Sequence, residues 1–290
     1  MAKPILKWAG GKRQIIEEVM NHFPKDYANR TYHEPMVGGG AVFFRLEPRK
    51  GTINDINKRL MNFYRVVRDN PTELIDANKT HKVTKDYFYK ARDRFNVTVK
   101  GKRLDPIEEA SLLLFLNRTC FNGLYRENSA GGFNVPFGKY KNPDFIQEHS
   151  ILVATKLLKP LDIFDGDFNY ILKKAKRNDL VYIDPPYHPL SITSSFTSYY
   201  RDDFGLEEQV RLKDTFIKLD KKGVMIVLNN SNAPQVRRLY EGIDGIQITD
   251  IRARRAINSN GSKRGEVGEI IVTNVPAKNQ RRASCVRTLI

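Results

Sequence analysis

Asp184-Pro185-Pro186-Tyr187 follows directly on the apolar run Val181-Tyr182-Ile183. Proline donates no backbone hydrogen bond, fixes φ near about −65° and holds the residue before it extended, so a strand must end here in a stiff turn. The turn aims a carboxylate and a ring out of the strand end. Asp184 and the carbonyl of Pro185 are two acceptors held close together, and the exocyclic NH2 of a nucleobase offers two donors. Its nitrogen is a poor nucleophile because the lone pair is spread into the ring. Accepting both hydrogens favours a more tetrahedral nitrogen with a directed lone pair. Tyr187 can stack on the base, which must leave its helix to reach such a pocket. Read by itself, the stretch is also a plain loop exit. A tetrad of this kind turns up by chance in roughly one chain in a hundred of this length, so its neighbours must decide.

Three more acids stand where strands are expected to end. Glu34 opens HEPMVGGGAVFF (33–44), an acid, then Gly38, Gly39 and Gly40, then an apolar helix start. Glycines let a backbone approach a ligand, and a helix N-terminus presents free amides. The dinucleotide fingerprint wants a third glycine where Phe43 stands, which speaks against a nicotinamide cofactor. Asp55 in TINDIN ends the next strand, where a carboxylate can accept from both ribose hydroxyls; it is also a natural helix N-cap. Asp167 in DGDF ends a third strand and Asp184 a fourth. In open α/β sheets ligands bind outside the carboxyl ends of strands, so these acids would line one crevice. WAGGKR (8–13) fails as a phosphate loop because Arg13 follows Lys12 where Ser or Thr is needed. Trp8, the glycines and Lys12 could instead wrap a small zwitterion, or Trp8 could simply pack.

Apolar runs at 32–36, 51–57, 161–168, 180–187, 224–231 and 269–275 must carry these groups. Helical patterns separate some of them. In 58–71 Leu60, Tyr64 and Val67 recur at helical spacing up to a proline; in 206–223 Val210, Leu212, Phe216 and Leu219 form a broad face that ends in glycine. Strands alternating with helices predict an α/β fold with a doubly wound, mainly parallel sheet. Residues 75–150 break the pattern with two helical stretches, followed by turn-rich aromatic pieces that read as a hairpin and loops. The expected division is a catalytic domain from 1–74 and 151–275, an inserted module over 75–150, and a basic tail over 276–290.

Lys and Arg number 49 against 33 Asp and Glu, a net charge of +16, which favours a polyanionic partner, nucleic acid ahead of a membrane surface. No amphipathic basic helix with an aromatic face and no membrane-length apolar segment is present. The 2 cysteines, Cys120 and Cys285, stand far apart without a paired motif, which suits a reducing cytoplasm, and the 5 scattered histidines suggest no metal site.

WAGGKR, EPMVGGGAVFF, NDIN, FNGLYRENSAGGFNVPFGKY, GDF, IDPPY and a late GEIIVTN occur in this order from Pro4 to about Val275. In this the chain resembles the Dam/DpnII-type DNA adenine-N6 methyltransferases, with the motif order of the alpha group. The resemblance implies a Rossmann-like fold that binds S-adenosylmethionine as methyl donor and needs no metal. It implies that Trp8, Lys12, Asp55 and Asp184 contact that cofactor, with Glu34 at the glycine turn. Gly38 and Gly40 would approach its methionine moiety, and Asp167 and Phe168 its adenine. Asp184, Pro185 and Tyr187 would hold the flipped target adenine for direct attack on the methyl group, without a covalent enzyme intermediate. Met36 stands where the motif usually has phenylalanine, a soft apolar substitute.

The same resemblance implies that the inserted module reads GATC in double-stranded DNA. Arg126 would donate to guanine O6 and N7. Leu124 and Pro136 would touch a thymine methyl, Phe121 (often Tyr in the family) would wedge beside the flipped base, and Asn122 would hydrogen-bond nearby. From composition alone, Arg126 on a hairpin reads first as a solvated charge, and the resemblance reverses that. Lys139, Lys141 and Arg94 are candidate phosphate contacts. SITSSFTSYYRDDF (191–204) reads as a loop that closes over the extruded base. The expected setting is the cytoplasm of a bacterium, or a phage-type one, with the enzyme a monomer or weak dimer on DNA and no membrane partner. The alternatives are methylation of cytosine N4, where Ser usually replaces the Asp, of RNA adenine, or of a protein glutamine amide. A DNA-binding regulator that keeps the fold without catalysis is a further one.

Overall fold

The computed structural model describes residues 2–12, 14–187, 204–254 and 266–281. The loop expected over 191–204 lies, except for Phe204, outside the described residues, as do 282–290 of the basic tail with Cys285. The described chain falls into two compact units. Unit one is formed by 2–11 and 36–168, and unit two by 12–35, 169–187 and the described residues from Phe204 onward.

Unit one contains the parallel pair β2 (Gly51–Asp55) and β3 (Leu161–Asp165), in register from Gly51 opposite Leu161 to Asp55 opposite Asp165. Both strands therefore end level, each on an aspartate. The helix Lys58–Asp69 begins behind β2, capped by Asn57, whose side chain accepts from the amide of Leu60. Leu60, Tyr64 and Val67 are buried, as their spacing predicts. Pro71 does not merely stop this helix. It occupies the first turn of the next one, Pro71–Lys79, where its missing N–H is not needed.

The helix Pro106–Thr119 is the spine of the unit. Asp105 caps it through the amides of Ile107 and Glu108. From Ala110 to Asn117 every residue is buried, because helices Lys58–Asp69, Pro71–Lys79 and Lys85–Phe95 all pack around it. His81 packs against it with both ring nitrogens hydrogen-bonded, to Tyr87 and Ser111, and burial pushes its pKa down to about 4. It is a neutral structural residue.

Unit two holds β1 (Tyr32–Glu34), β4 (Leu180–Ile183) and β5 (Met225–Ser231), parallel and adjacent in that order, followed by β7 (Glu266–Thr273) and β6 (Gln247–Arg254), both antiparallel to their neighbours. β4 is buried at all of its positions, as expected of a parallel strand covered on both faces. The helix Leu206–Lys221 buries Leu212, Phe216 and Leu219, and Val210 stands outward, 37% exposed, with Gln209 taking the inward position instead. β6 is the one strand absent from the expectations above. It lies at the sheet edge, paired only to β7, and its alternation of polar and apolar residues makes no apolar run.

Among the described residues seven strands, mostly parallel and flanked by helices, make this the Rossmann-like α/β class that the sequence predicts. Among the described residues no helix is long and apolar enough to cross a membrane.

Asn117, at the end of the spine helix, accepts from the amide of Lys7 and donates to the carbonyls of Lys7 and Gly123, at 2.8, 2.8 and 3.3 Å. It thus ties the N-terminal WAGG stretch and the turn-rich segment to one helix. Asn117→Ala leaves a buried amide and carbonyl unpaired, and should lower the unfolding free energy by about 1–3 kcal/mol, measured by urea denaturation.

Candidate active site

In unit one the site grows from the end of β2. Asp55 accepts from the amide of Gly38 at 3.0 Å through one oxygen and from that of Asn57 at 2.9 Å through the other. Burial raises its pKa, and the amide hydrogen bonds oppose the rise. The helix cap is Asn57, so Asp55 is free of that duty and orders the glycine turn. Gly38 and Gly40 have φ of +48° and +71°, and Tyr64 donates to the carbonyl of Gly38 at 2.9 Å. A Cβ at Gly38 would stand 3.0 Å, and one at Gly39 2.8 Å, from the Trp8 side chain. The turn therefore wraps the indole as only glycine allows. Trp8 in turn stacks on Tyr125, with ring centroids 4.8 Å apart.

The amide of Gly166 donates to the carbonyl of Asp55 at 3.1 Å, and Asn54 donates to the carbonyl of Gly166 at 2.9 Å. This brings Asp167, exposed, to the side of Asp55, with Phe168 buried behind it. The structure thus gathers Trp8, Gly38, Gly40, Asp55, Asp167 and Phe168 in one unit. It adds Ile56, 72% exposed directly after Asp55. In the sequence Ile56 looks like one more strand residue, and nothing there marks it as uncovered.

In unit two the turn after β4 carries Asp184, Pro185 and Tyr187, and the side chain of Lys12 enters it. Lys12 Nζ lies 2.9 Å from Asp184 Oδ1, donates to the Tyr187 hydroxyl at 2.6 Å and sits 4.5 Å from the centre of its ring. Tyr187 donates to Glu269 Oε2 at 2.7 Å, and the Asn229 amide donates to both the Tyr187 oxygen and Glu269. Asn229 and Glu269 meet because β5 and β7 pair Ser231 with Glu269 and Asn229 with Ile271, which puts all four on one face. Asn230 points to the other face, where its amide donates to Gln209, and Gln209 donates to the carbonyl of Pro186 at 3.3 Å. The proline turn is therefore held from both sides.

Burial pushes the Asp184 carboxyl up to about 6, against the lowering effect of Lys12, with Glu269 adding to the rise. Burial also holds the Tyr187 hydroxyl well above its ordinary value, so the ring stays neutral. Glu34, buried at the end of β1, accepts from the Tyr32 hydroxyl at 2.6 Å. Glu269, Asn229, Gln209 and Asn230 went unread in the sequence. Polar residues at the end of an apolar run, as in Leu228-Asn229-Asn230-Ser231, were the available signal.

The turn-rich segment of unit one forms isolated bridges, Cys120 with Phe137 and Glu127 with Phe133, in place of a regular hairpin. Phe121 is 52% exposed, on a turn whose Asn122 takes φ +55°. Phe121 and Pro136 are joined by a backbone hydrogen bond of 2.8 Å, and Leu124 is half-buried beside them. Arg126 is exposed and anchored at Nε by Asn134, 2.8 Å away. Arg94 is engaged by Glu108, while Lys139 and Lys141 are exposed on the same segment. Cys120 is buried, and its thiol is pushed up to about 12, so it is not a nucleophile.

The arrangement in unit two, a carboxylate and a ring after a parallel strand, and the acid-and-glycine turn in unit one, are those of an amino-methyltransferase. Residues 8–257 match the description "D12 class N6 adenine-specific DNA methyltransferase", and the chain belongs to that family. It is 42% identical over 278 residues to a type II methyltransferase of Lactococcus lactis subsp. cremoris, covering 94% of this chain and 95% of that one. A type II methyltransferase of Methanocaldococcus jannaschii is 41% identical, covering 94% and 99%. The DNA adenine methylase of Escherichia coli K12 is 32% identical, covering 94% and 96%.

An Asp184 pKa raised from 3.8 to about 6 means that folding takes up a proton between those values. The associated stabilisation is complete below the lower value and is lost as pH rises through the upper one. Asp184→Asn cannot titrate. The stability of the wild type relative to this variant should therefore be greatest near pH 4 and decline by pH 7, read from urea midpoints at each pH.

Proposed function

We propose that this chain transfers a methyl group from S-adenosylmethionine to N6 of adenine in duplex DNA, within 5'-GATC-3', after the adenine has swung out of the helix. The observation that carries this reading is the seat in unit two. An amino cation, Lys12 Nζ, already lies against Asp184 Oδ1 and the Tyr187 ring, so the turn accepts nitrogen donors. In the reaction Asp184 and the Pro185 carbonyl accept the two N6 hydrogens, Tyr187 stacks on the base, and Asp184 receives the proton that N6 sheds. A carboxylate with a pKa of about 6 is mostly ionised at neutral pH, as acceptance requires.

The glycine turn of unit one suits the methyl donor. Asp55 keeps further lone pairs on both oxygens for ribose hydroxyls, the glycine turn lies close against Trp8, and Ile56 offers an uncovered apolar surface. We assign Trp8, Gly38, Gly40, Asp55, Asp167 and Phe168 to holding the cofactor; for Lys12, Glu34 and Asp184 that role rests on the family resemblance alone. Bound there, the cofactor supplies an electrophilic methyl group.

The segment 75–150 is assigned to DNA recognition and the rest of the chain up to 275 to catalysis. Arg126, fixed at Nε, keeps its two terminal nitrogens for a guanine edge. Leu124 and Pro136 contact a thymine methyl, the exposed Phe121 wedges into the stack, and Asn122 assists. The net charge of +16 suits a polyanion. The enzyme acts in the cytoplasm, as a monomer or weak dimer.

Labelled S-adenosylmethionine should mark a duplex with one GATC and leave a GTTC duplex blank. Asp184→Ala should abolish labelling while retaining DNA binding. Arg126→Ala should cut the preference for GATC by about 10–100-fold, the worth of one bidentate base contact. Equal label in both duplexes would sink the assignment of Arg126, Leu124 and Pro136, and tight binding without label would sink catalysis itself.

A further inference from the structure

The resemblance places Lys12 with the cofactor, yet its ammonium group lies in the amino-group seat itself. Nζ is 2.9 Å from Asp184 Oδ1 and 4.5 Å from the centre of the Tyr187 ring. Carboxylate and ring are the two features by which the seat would take an adenine N6. While the ammonium lies between that oxygen and the ring, it fills the space that a base amine would need there.

Lys12 is only 4% exposed, and a buried cation that loses its partner is strongly destabilising. A second carboxylate stands ready. Glu269 Oε2 is 3.9 Å from the same Nζ and is 12% exposed. Hydrogen bonds of 2.7 Å from Tyr187 and from Asn229 fix its position. A shift of about 1 Å would bring the ammonium to charged hydrogen-bond distance from it.

We infer that Lys12 is a resident stand-in for the adenine amino group and that Glu269 is its second seat. The arriving base takes Asp184, the ammonium moves to Glu269, and no buried charge is left without a partner. No bond is made or broken, and the net charge of the seat is unchanged. Glu269 acts through Lys12 and Tyr187, so it is a positioning residue. The inference rests on the reading of Asp184 and Tyr187 as the adenine seat.

The test compares two duplexes in fluorescence-anisotropy titrations of the full chain, one with the target adenine and one abasic at that position. Glu269→Gln keeps the side-chain length and an oxygen for Tyr187 but cannot balance a cation. It should weaken binding of the adenine duplex about tenfold, the scale of one charged contact, and leave the abasic duplex unchanged. In Lys12→Met/Glu269→Gln the ammonium is gone, so the adenine-selective loss should disappear. Equal weakening on both duplexes, no weakening on either, or a loss that persists in the double variant would overturn the inference. Methyl transfer by the wild type with an indifferent Glu269→Gln overturns this inference alone. A wild type that transfers no methyl to adenine overturns the proposed function, and this inference with it.

Discussion

A carboxylate held inside a largely buried turn is the constraint around which unit two is built. Asp184 is 21% exposed, and burial, with Glu269 adding to it, raises its pKa. Without a counter-charge it would bind a proton more readily still. Lys12 supplies that charge, and the residues around it supply the remaining hydrogen bonds. Each has its own tether: Lys12 to Tyr187, Tyr187 to Glu269, Asn229 to both. A buried ionic group is tolerated only when its partners are complete in this way.

The backbone makes that arrangement possible. β4 is apolar and buried throughout, so its end is fixed by packing, and the prolines stiffen the exit. β5 runs parallel beside it and becomes polar only at its last residues, Asn229 to Ser231, where the site begins. β7 runs antiparallel to β5, which returns the chain so that Glu269 stands opposite Ser231. A slip of one residue in that pairing would turn Glu269 to the far face.

Unit one answers a different demand, that of close approach between a backbone turn and a ring. Its glycine turn is closed by Asp55 and the Tyr64 hydroxyl and lies directly against Trp8. The ring of Trp8 is backed by Tyr125, which belongs to the segment carrying Phe121 and Arg126. Asn117 holds the backbone on either side of this contact. The strand-end turn and the turn-rich segment are thus parts of one packed body, although they are far apart in the chain.

Much of this was legible in the residues alone. The strand ends at Asp55 and before Asp184 and the helix from 58 follow from local signals: apolar runs, prolines, glycines and caps, whose effects reach only a few residues. The third strand ends at Asp165, two residues before the expected Asp167, and the grouping of Trp8 with Gly38 and Asp55 came from the family resemblance. β6 was not legible, because an edge strand buries one face weakly and shows no apolar run. The inward turn of Gln209 in place of Val210 was not legible either, since its partners, Asn230 and Pro186, are set by tertiary packing. The same holds for Glu269 and Asn229, ordinary polar residues until strand register brings them to Tyr187. Residue types and short spacings determined which groups could do chemistry and that strands would carry them. Only the tertiary structure decided which distant charge balances Asp184, because a buried charge takes its partner from whatever the pairing of strands brings within reach.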